Sequence, residues 1–540
     1  MKTQLLILVF LLCAQVIHAQ PQPTIVQENQ FGGGQYDNLK KWAIENFTTG
    51  EITAVGKSNS HDGDLPANSG LLYNGWLAKW ATDNLILGIS SPFGGDDDDE
   101  FADVITTEFG PVFLLGKTRS ASVPNYHGGD DLWVVKNLDG SISVEKAFGG
   151  TGNEAPFINR RYGQSAFSTF TTGASGSMTA DGDWAGATTY GGSDIGFLKI
   201  DTNLNVLDKK IFGTPGTDLA FAAFENNNGF TVAALTTGTG GSFTTPIIGG
   251  SDALVFKMGT DFSLQEEYRY GGDKADEVYT ILSDESDGFF AAGATWSVQW
   301  DFFNDGNADV RDISCSVSDL YHSNGIVFRA DASGNIIWSQ CFAGSADDRV
   351  EAIYYQHPDI LYVLGSTASN DYDFDGLSHG GWDCFIAALD ANTGEKKWMK
   401  VFGGSGTELA HDIIRLDGGN LLTLNESQFS SGGDIGSTNH GFSDTWIVEF
   451  TNPTGIDEPF AISEVLAYPN PANESVTIDL PSNARILQIE ITNLKGQVIS
   501  AIHPVQSSIT LDVKDYPDGF YFVRINQEGS QYFSKMVVAH

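Results

Sequence analysis

An aromatic residue followed by two small ones recurs seven times along this chain, as FGGG at 31, FGGD at 93, FGGT at 148, FGTP at 212, YGGD at 270, FAGS at 342 and FGGS at 402. The intervals run from 55 to 72 residues. Between these marks a second one recurs, also seven times: YNGWLAKW (73), HGGDDLWVVK (127), YGGSDIGFLK (190), IGGSDALVFK (248), HSNGIVFRA (322), HGGWDCFIAA (379) and HGFSDTWIVEF (440). A repeat of this length is one supersecondary unit that hides its apolar faces against its neighbours.

Each unit has the same grammar. After the aromatic and glycines comes a short acidic stretch and a strand, such as DEFADVI (99–105) or ADEVYTIL (275–282). A second strand ends in Gly and a hydroxyl, as in EITAVGKS (51–58), VFLLGKT (112–118), GFFAAGAT (288–295) and ILYVLGST (360–367). A polar loop leads to the GG-x-D strand, and a hairpin leads to the strand that carries the next aromatic. Four short strands per unit of about 60 residues describes a propeller blade. Runs such as LWVVKNL are apolar on both faces, as a strand between two neighbouring blades must be. The aromatic is expected to pack between blades.

The arithmetic also predicts how the ring closes. TIVQENQF (24–31) resembles SISVEKAF (141–148), a fourth strand, whereas the last unit stops after its third strand at DTWIVEF (444–450). The N-terminal strand therefore completes the last blade and removes two open sheet edges. The expectation is an all-β chain: a seven-bladed β-propeller of four-stranded blades over 20–452, closed by its N-terminal strand, a linker over 453–462 and a small β-sandwich over 463–540. The repeats resemble the GG-x-D and F-G-G-S propellers of secreted Bacteroidetes proteins over residues 24–452. That resemblance implies architecture, not activity.

The C-terminal module has its own signature. YPNP (468–471), LKGQVI (494–499), DGFYFVRI (518–525) and a terminal KMVV lie among alternating strands with tight turns. They resemble the type A sorting domain of the type IX secretion system. The resemblance implies export through that machinery by way of residues 463–540, with release or attachment at the cell surface. MKTQLLILVFLLCAQVIHA reads as a matching signal peptide over 1–19: Lys2 is the charged end, and the apolar run is too short to span a bilayer. No later segment reaches membrane-spanning length. Beyond Cys13 three cysteines remain, Cys315, Cys341 and Cys384, so one disulfide is possible and at least one thiol is left over.

Charge narrows the partners. Asp and Glu number 69 against 29 Lys and Arg, a net of −40. Such a field repels phosphate and argues against nucleic acid or an anionic membrane. GEITAVGKS and GPVFLLGKT have five mainly apolar residues between the glycines and read as second strands, not phosphate loops. ALDANTGEKKW (388–398) resembles a quinoprotein repeat, but the equivalent stretches of other units share only its turn, and no organic cofactor is expected. Recurrence of Asp131, Asp194, Asp252, Asp383 and Asp444 points to structure: an Asp there can accept backbone N–H groups and lock the turn.

Two sets of residues are candidates for a site. Asp371, Asp373 and Asp375 before Gly376 form D-x-D-x-D-G, whose alternating carboxylates suit Ca2+, with Asp383 a further donor. The twelfth position is Trp382 rather than Glu, which departs from the helix-loop-helix calcium site. The long loops between second and third strands carry Trp184, Trp296, Trp300, Phe302, Phe303, Tyr321 and Tyr372, aromatics suited to stacking on sugar rings. They lie on the face that also carries the blade-to-blade connections. The expectation is a secreted or cell-surface binding or adhesion propeller for extracellular polysaccharide. The alternatives are a polysaccharide hydrolase or lyase on the same scaffold, and a structural surface protein.

Overall fold

The computed structural model describes residues 22–46, 51–65, 72–81, 85, 87–105, 112–138, 141–161, 169–226, 228–297, 315, 322–416 and 418–452 of the repeat region, and 467–468, 472–479, 486–493, 498–502, 508–514, 516–517, 519–527 and 530–539 of the C-terminal module. The signal peptide, the linker, Trp300, Phe302, Phe303 and Tyr321 lie outside the described residues.

Seven antiparallel sheets follow one another along the chain, and each is a blade. Their first strands are Asp37–Asn46, Asp99–Ile105, Asn153–Pro156, Asp218–Asn226, Asp276–Ser283, Asp348–Gln356 and Thr407–Arg415. The seventh blade is completed as expected: Ile25–Phe31 pairs antiparallel with Ser443–Phe450, from Ile25 opposite Phe450 to Phe31 opposite Thr445. Ring closure is reinforced by side chains. Glu28 accepts hydrogen bonds from Ser437 N (2.8 Å), Ser437 Oγ (2.7 Å) and Trp446 Nε1 (2.8 Å). Lys41 of blade one pairs with Asp412 of blade seven at 2.8 Å, both nearly inaccessible.

The core is divided among the junctions. Seven apolar clusters each draw residues from two successive blades. The repeated aromatic is the constant member. Phe31, Phe93, Phe148, Phe212, Tyr270, Phe342 and Phe402 are all at most 7% exposed, one to each cluster. Burying a ring of this size contributes roughly 2–3 kcal/mol, which explains why every unit keeps one.

Blade three departs from the pattern. Its first strand is only Asn153–Pro156, and the next segment, Ile158–Arg161, leaves the blade to pair in parallel with the first strand of blade four. Pro156 lacks the N–H that would continue the ladder, and the Phe157 ring turns inward over Gly173.

The C-terminal module is a separate unit from Thr454 onwards. It contains a three-stranded and a four-stranded sheet, with a shared apolar cluster that includes Val476, Ile478, Ile491, Leu511, Val523 and Met536. Among the described residues no helix is long and apolar enough to cross a membrane. Cys315 and Cys341 form a disulfide and Cys384 is a buried thiol, which decides the pairing left open by the count.

Candidate ligand-binding site at the channel mouth

Three repeated devices hold the face where the first strands begin. The first is a bulge. In six blades the first strand carries one extra residue, after its third pair or, in blade seven, its fourth, namely Lys40, Ala102, Phe221, Tyr279, Glu351 and His411. A bulge bends the strand and re-aims the extra side chain. These six are part-exposed between buried neighbours, and those of adjacent blades meet: Phe221 and Tyr279 are edge-to-face at 5.4 Å. They line the centre of the ring. The bulge also explains the glycine before each second-strand hydroxyl. A Cβ on Gly56, Gly116, Gly293 or Gly365 would collide with the carbonyl oxygen of Asn38, Glu100, Glu277 or Arg349 opposite.

The second device is a buried acid at the start of the first strand. Asp37 accepts hydrogen bonds from Gly33 N and Ser60 Oγ, both 2.7 Å, and from Ser58 Oγ. Asp276 does the same with Gly272 N (2.8 Å), Ser297 Oγ (2.8 Å) and Thr295 Oγ. The hydroxyls that end the second strands thus anchor the next connection. Between each pair of hydroxyls stands a residue free to vary: Asn59, Arg119, Trp296 and Ala368 in blades one, two, five and six. Its backbone N–H is fixed on the carbonyl of Tyr36, Asp98, Ala275 or Asp347. A constant backbone therefore presents different side chains to solvent.

The third device engages the carboxylates expected to hold calcium. Asp371 Oδ1 accepts Ser345 N at 2.8 Å, Asp373 Oδ2 accepts Ala343 N at 3.1 Å, and Phe374 is fully buried behind them. Asp373 also pairs with Lys396 at 2.8 Å. The same latch occurs at Asp62, Asp64 and Leu65 on Gly34 and Gly32, and at Asp181, Asp183 and Trp184 on Thr151 and Gly149. Two carboxylates grip the blade-to-blade connection while an apolar plug fills the space beneath. Asp383 is buried elsewhere, its Oδ2 on His379 N at 2.7 Å. Asp371, Asp373, Asp375 and Asp383 therefore do not converge, and among the described residues no three acidic, His or Cys side chains form a metal-binding group. The signal was present in the repeats HDGDL, ADGDW and NDYDF, which align once the plug is recognised.

Trp184 is corrected by its burial. It is the plug of blade three, 0% exposed, and not a ligand-facing residue. Trp296 is half-buried at the variable position, and Tyr372 is 65% exposed. Tyr372 also adopts φ 52°, in the left-handed region. The equivalent latch positions are Gly63, Gly182, Gly241 and Gly433, all at positive φ. Among these five described latch positions, Tyr372 alone places a side chain in that conformation.

The strongest concentration of binding chemistry lies at the seam of blades seven and one. A cavity of about 250 Å3 is lined by Tyr36, Asn38, Lys40, Lys57, Tyr73 and Glu426. On its border Tyr36 stacks on Phe442 at 5.5 Å and 13°, and Phe429 meets Phe442 edge-on at 5.4 Å. Tyr36, Phe429 and Phe442 are 41%, 64% and 41% exposed, so this ledge faces solvent. Sequence reasoning missed all three, because Tyr36 follows and Phe442 sits inside a mark read as structural and Phe429 lies in a short loop.

The polar lining is set by charge. Lys57 lies 4.7 Å over the Tyr73 ring and pairs with Glu100 at 3.0 Å, while Lys117 and Lys40 approach the same carboxylate at 3.6 and 4.0 Å. Burial alone would raise Glu100, but Lys40, Lys57 and Lys117 together hold it down to about 2. Burial likewise acts upward on Glu426, and His411, Ser443 and Gln428 bring it to about 2. Both therefore remain carboxylates. Asn38 donates to Glu426, while its own Oδ1 is buried without a partner. The cavity thus offers ammonium groups, a fixed acceptor and the Tyr73 phenol, which burial raises further and keeps protonated.

Residues 466–539 match the family model of the secretion system C-terminal sorting domain. That match and the propeller identify a secreted protein whose C-terminal module serves the type IX secretion machinery. No curated protein matches the chain in sequence. Solved structures similar in fold include the Pan2 WD40 domain of Neurospora crassa (11% identity, 79% of this chain and 98% of that one, TM-score 0.41). Others are a protein of unknown function from Dyadobacter fermentans (10%, 80% and 99%, 0.39) and the β-propeller domain of the trilobed protease of Pyrococcus furiosus (10%, 79% and 98%, 0.38).

Proposed function

We propose that this secreted propeller is a binding or adhesion protein that recognises extracellular polysaccharide at the mouth of its central channel. The observation that carries the reading is the solvent-facing ledge of Tyr36, Phe442 and Phe429 beside a cavity of mixed ammonium, carboxylate and amide groups. Aromatic faces pack against the C–H faces of sugar rings, and a few convergent polar groups select the hydroxyls. Glu426 and Glu100 support binding rather than hydrolysis: acids held near 2 accept hydrogen bonds but have no proton to give a leaving group at neutral pH.

The test is a panel of extracellular polysaccharides titrated against the purified full chain and against Tyr36→Ala and Phe442→Ala, with reducing ends assayed in the same wells. Each truncation should weaken binding about three- to tenfold, the range expected for loss of one stacked ring. Calcium and chelator should leave it unchanged. Binding indifferent to both substitutions would refute the site, and release of reducing ends would refute the binding-only reading in favour of a hydrolase or lyase.

A further inference from the structure

In five of the seven blades an acid at the start of the third strand lies near the acid that opens the next blade. At the junction of blades six and seven Asp383 and Glu408 are both 0% exposed. Asp383 Oδ2 accepts His379 N (2.7 Å) and Glu408 Oε2 accepts Gly404 N (2.7 Å). Asp383 Oδ1 and Glu408 Oε1 have no partner. A Cβ added to Gly403 would strike Asp383 Oδ1 and Glu408 Oε2 together, so both carboxyl groups face one point. Asp131 and Glu154, both fully buried, repeat the arrangement around Gly149, and Asp131 Oδ1 is again unpartnered.

Two ionised carboxylates buried face to face would repel one another while Asp383 Oδ1 and Glu408 Oε1 went without a donor. The other repeats show what fits there. Asn74 and Asn324 take the place of the aspartate in blades one and five. An amide has nearly the shape of a carboxylic acid and carries a permanent donor.

We infer that Asp383 with Glu408, and Asp131 with Glu154, each hold one proton between them, and that its loss at alkaline pH loosens those blade junctions. The proton sits between two carboxyl oxygens and leaves to water, so no other reactant is needed. Burial first, then the facing acid, pushes Glu408 to about 7 and Glu154 to about 8, and burial takes Asp131 to about 6. The surrounding groups are few. His379 lies 3.7 Å from Asp383 and 3.7 Å from Asp434, which Lys400 approaches at 3.9 Å. The Cys384 thiol is raised by burial and then by Glu408 and Asp383, so it stays neutral. At the other junction His127 stands 3.6 Å from Asp131 and 3.7 Å from Asp183, with Asp130 and Asp181 nearby.

The sign follows from linkage. Unfolded carboxyls release their protons near pH 4, whereas the folded pairs keep one until pH 7–8, so the native state binds more protons in that window. Stability is fully present below it and falls as pH rises through it.

The experiment is urea unfolding of the full chain at pH 5, 7 and 9, beside Asp383→Asn and, as an independent route, Glu408→Gln. The folding equilibrium constant of the parent should fall between pH 5 and 9. Each variant should remove a part of that fall on the order of a hundredfold, equivalent to a displacement of about two pKa units. Each should also equal or exceed the parent at pH 9. An unchanged pH dependence in the variants overturns the inference, and so does a parent whose alkaline loss is reversed by added calcium or sodium, since the pair would then hold a cation. Should one variant fail to fold, the infrared carbonyl band of a protonated carboxyl in the parent decides: its presence at pH 5 and loss by pH 9 supports the shared proton, and its absence at pH 5 refutes it.

Discussion

Replacing Tyr372 by glycine should make the protein more stable and, on the proposed function, a weaker binder. The residue holds φ 52° where the corresponding positions of four other blades are glycine. A left-handed conformation costs a residue with a Cβ roughly 1–2 kcal/mol. Glycine removes that cost but enlarges the unfolded ensemble, which takes back roughly 0.5–1 kcal/mol. At 65% exposure the tyrosine ring gives up little buried surface. The balance is a gain of about 0.5–1 kcal/mol, read as a higher urea midpoint at unchanged slope.

Two companions separate the causes. Tyr372→Ala keeps the strain and removes the ring, so it should give no gain. Gly433→Tyr places a side chain at the same site of blade seven, where φ is 62°, and should lose about 1–2 kcal/mol. If Tyr372→Gly instead loses more than about 1 kcal/mol, the ring holds its loop together and the strain argument fails. If stability rises while polysaccharide binding is unchanged, Tyr372 has no part in the ligand face.

Asp412→Asn should destabilise the ring by about 3–5 kcal/mol, because it leaves Lys41 charged and buried at the closing seam; the double change Lys41→Met with Asp412→Leu should recover most of that loss in the same urea titration. Phe374→Ala should cost about 3–5 kcal/mol through the cavity it opens against Phe385, 5.3 Å away, and its thermal unfolding should shift accordingly.

Most of the fold was legible in the sequence, and little of the site was. The aromatic before each pair of small residues could be assigned to the blade interface because seven copies repeat one physical requirement, a large ring at the same place in the packing. The closing strand could be found because 24–31 supplies the unit that 444–450 lacks. The GG-x-D aspartates could be assigned to turn-locking, and they do accept the backbone N–H groups of His127, Tyr190, Ile248, His379 and His440. The acidic loop at 371–376 is ambiguous in sequence because alternating carboxylates look alike whether they hold a cation or backbone amides. Only the position of Ser345 N and Ala343 N, from the preceding connection, distinguishes the two. Trp184 misled for a related reason: a tryptophan in a long loop carries no mark of which way it turns.

By itself, then, the sequence determined the number of blades, their strand order, the way the ring closes and the export signal at the C-terminus. Each of these is written as a local pattern, repeated or complete within a few dozen residues. The tertiary structure decided which side chains meet. Tyr36 and Phe442 are separated by nearly the whole propeller in sequence, yet they stack because the first and last units share a blade seam. Asp383 and Glu408 face each other only because successive blades turn one acid of each into the same buried junction. A ring brings its ends together, and chemistry assembled across that closure has no signature in any one stretch of the chain.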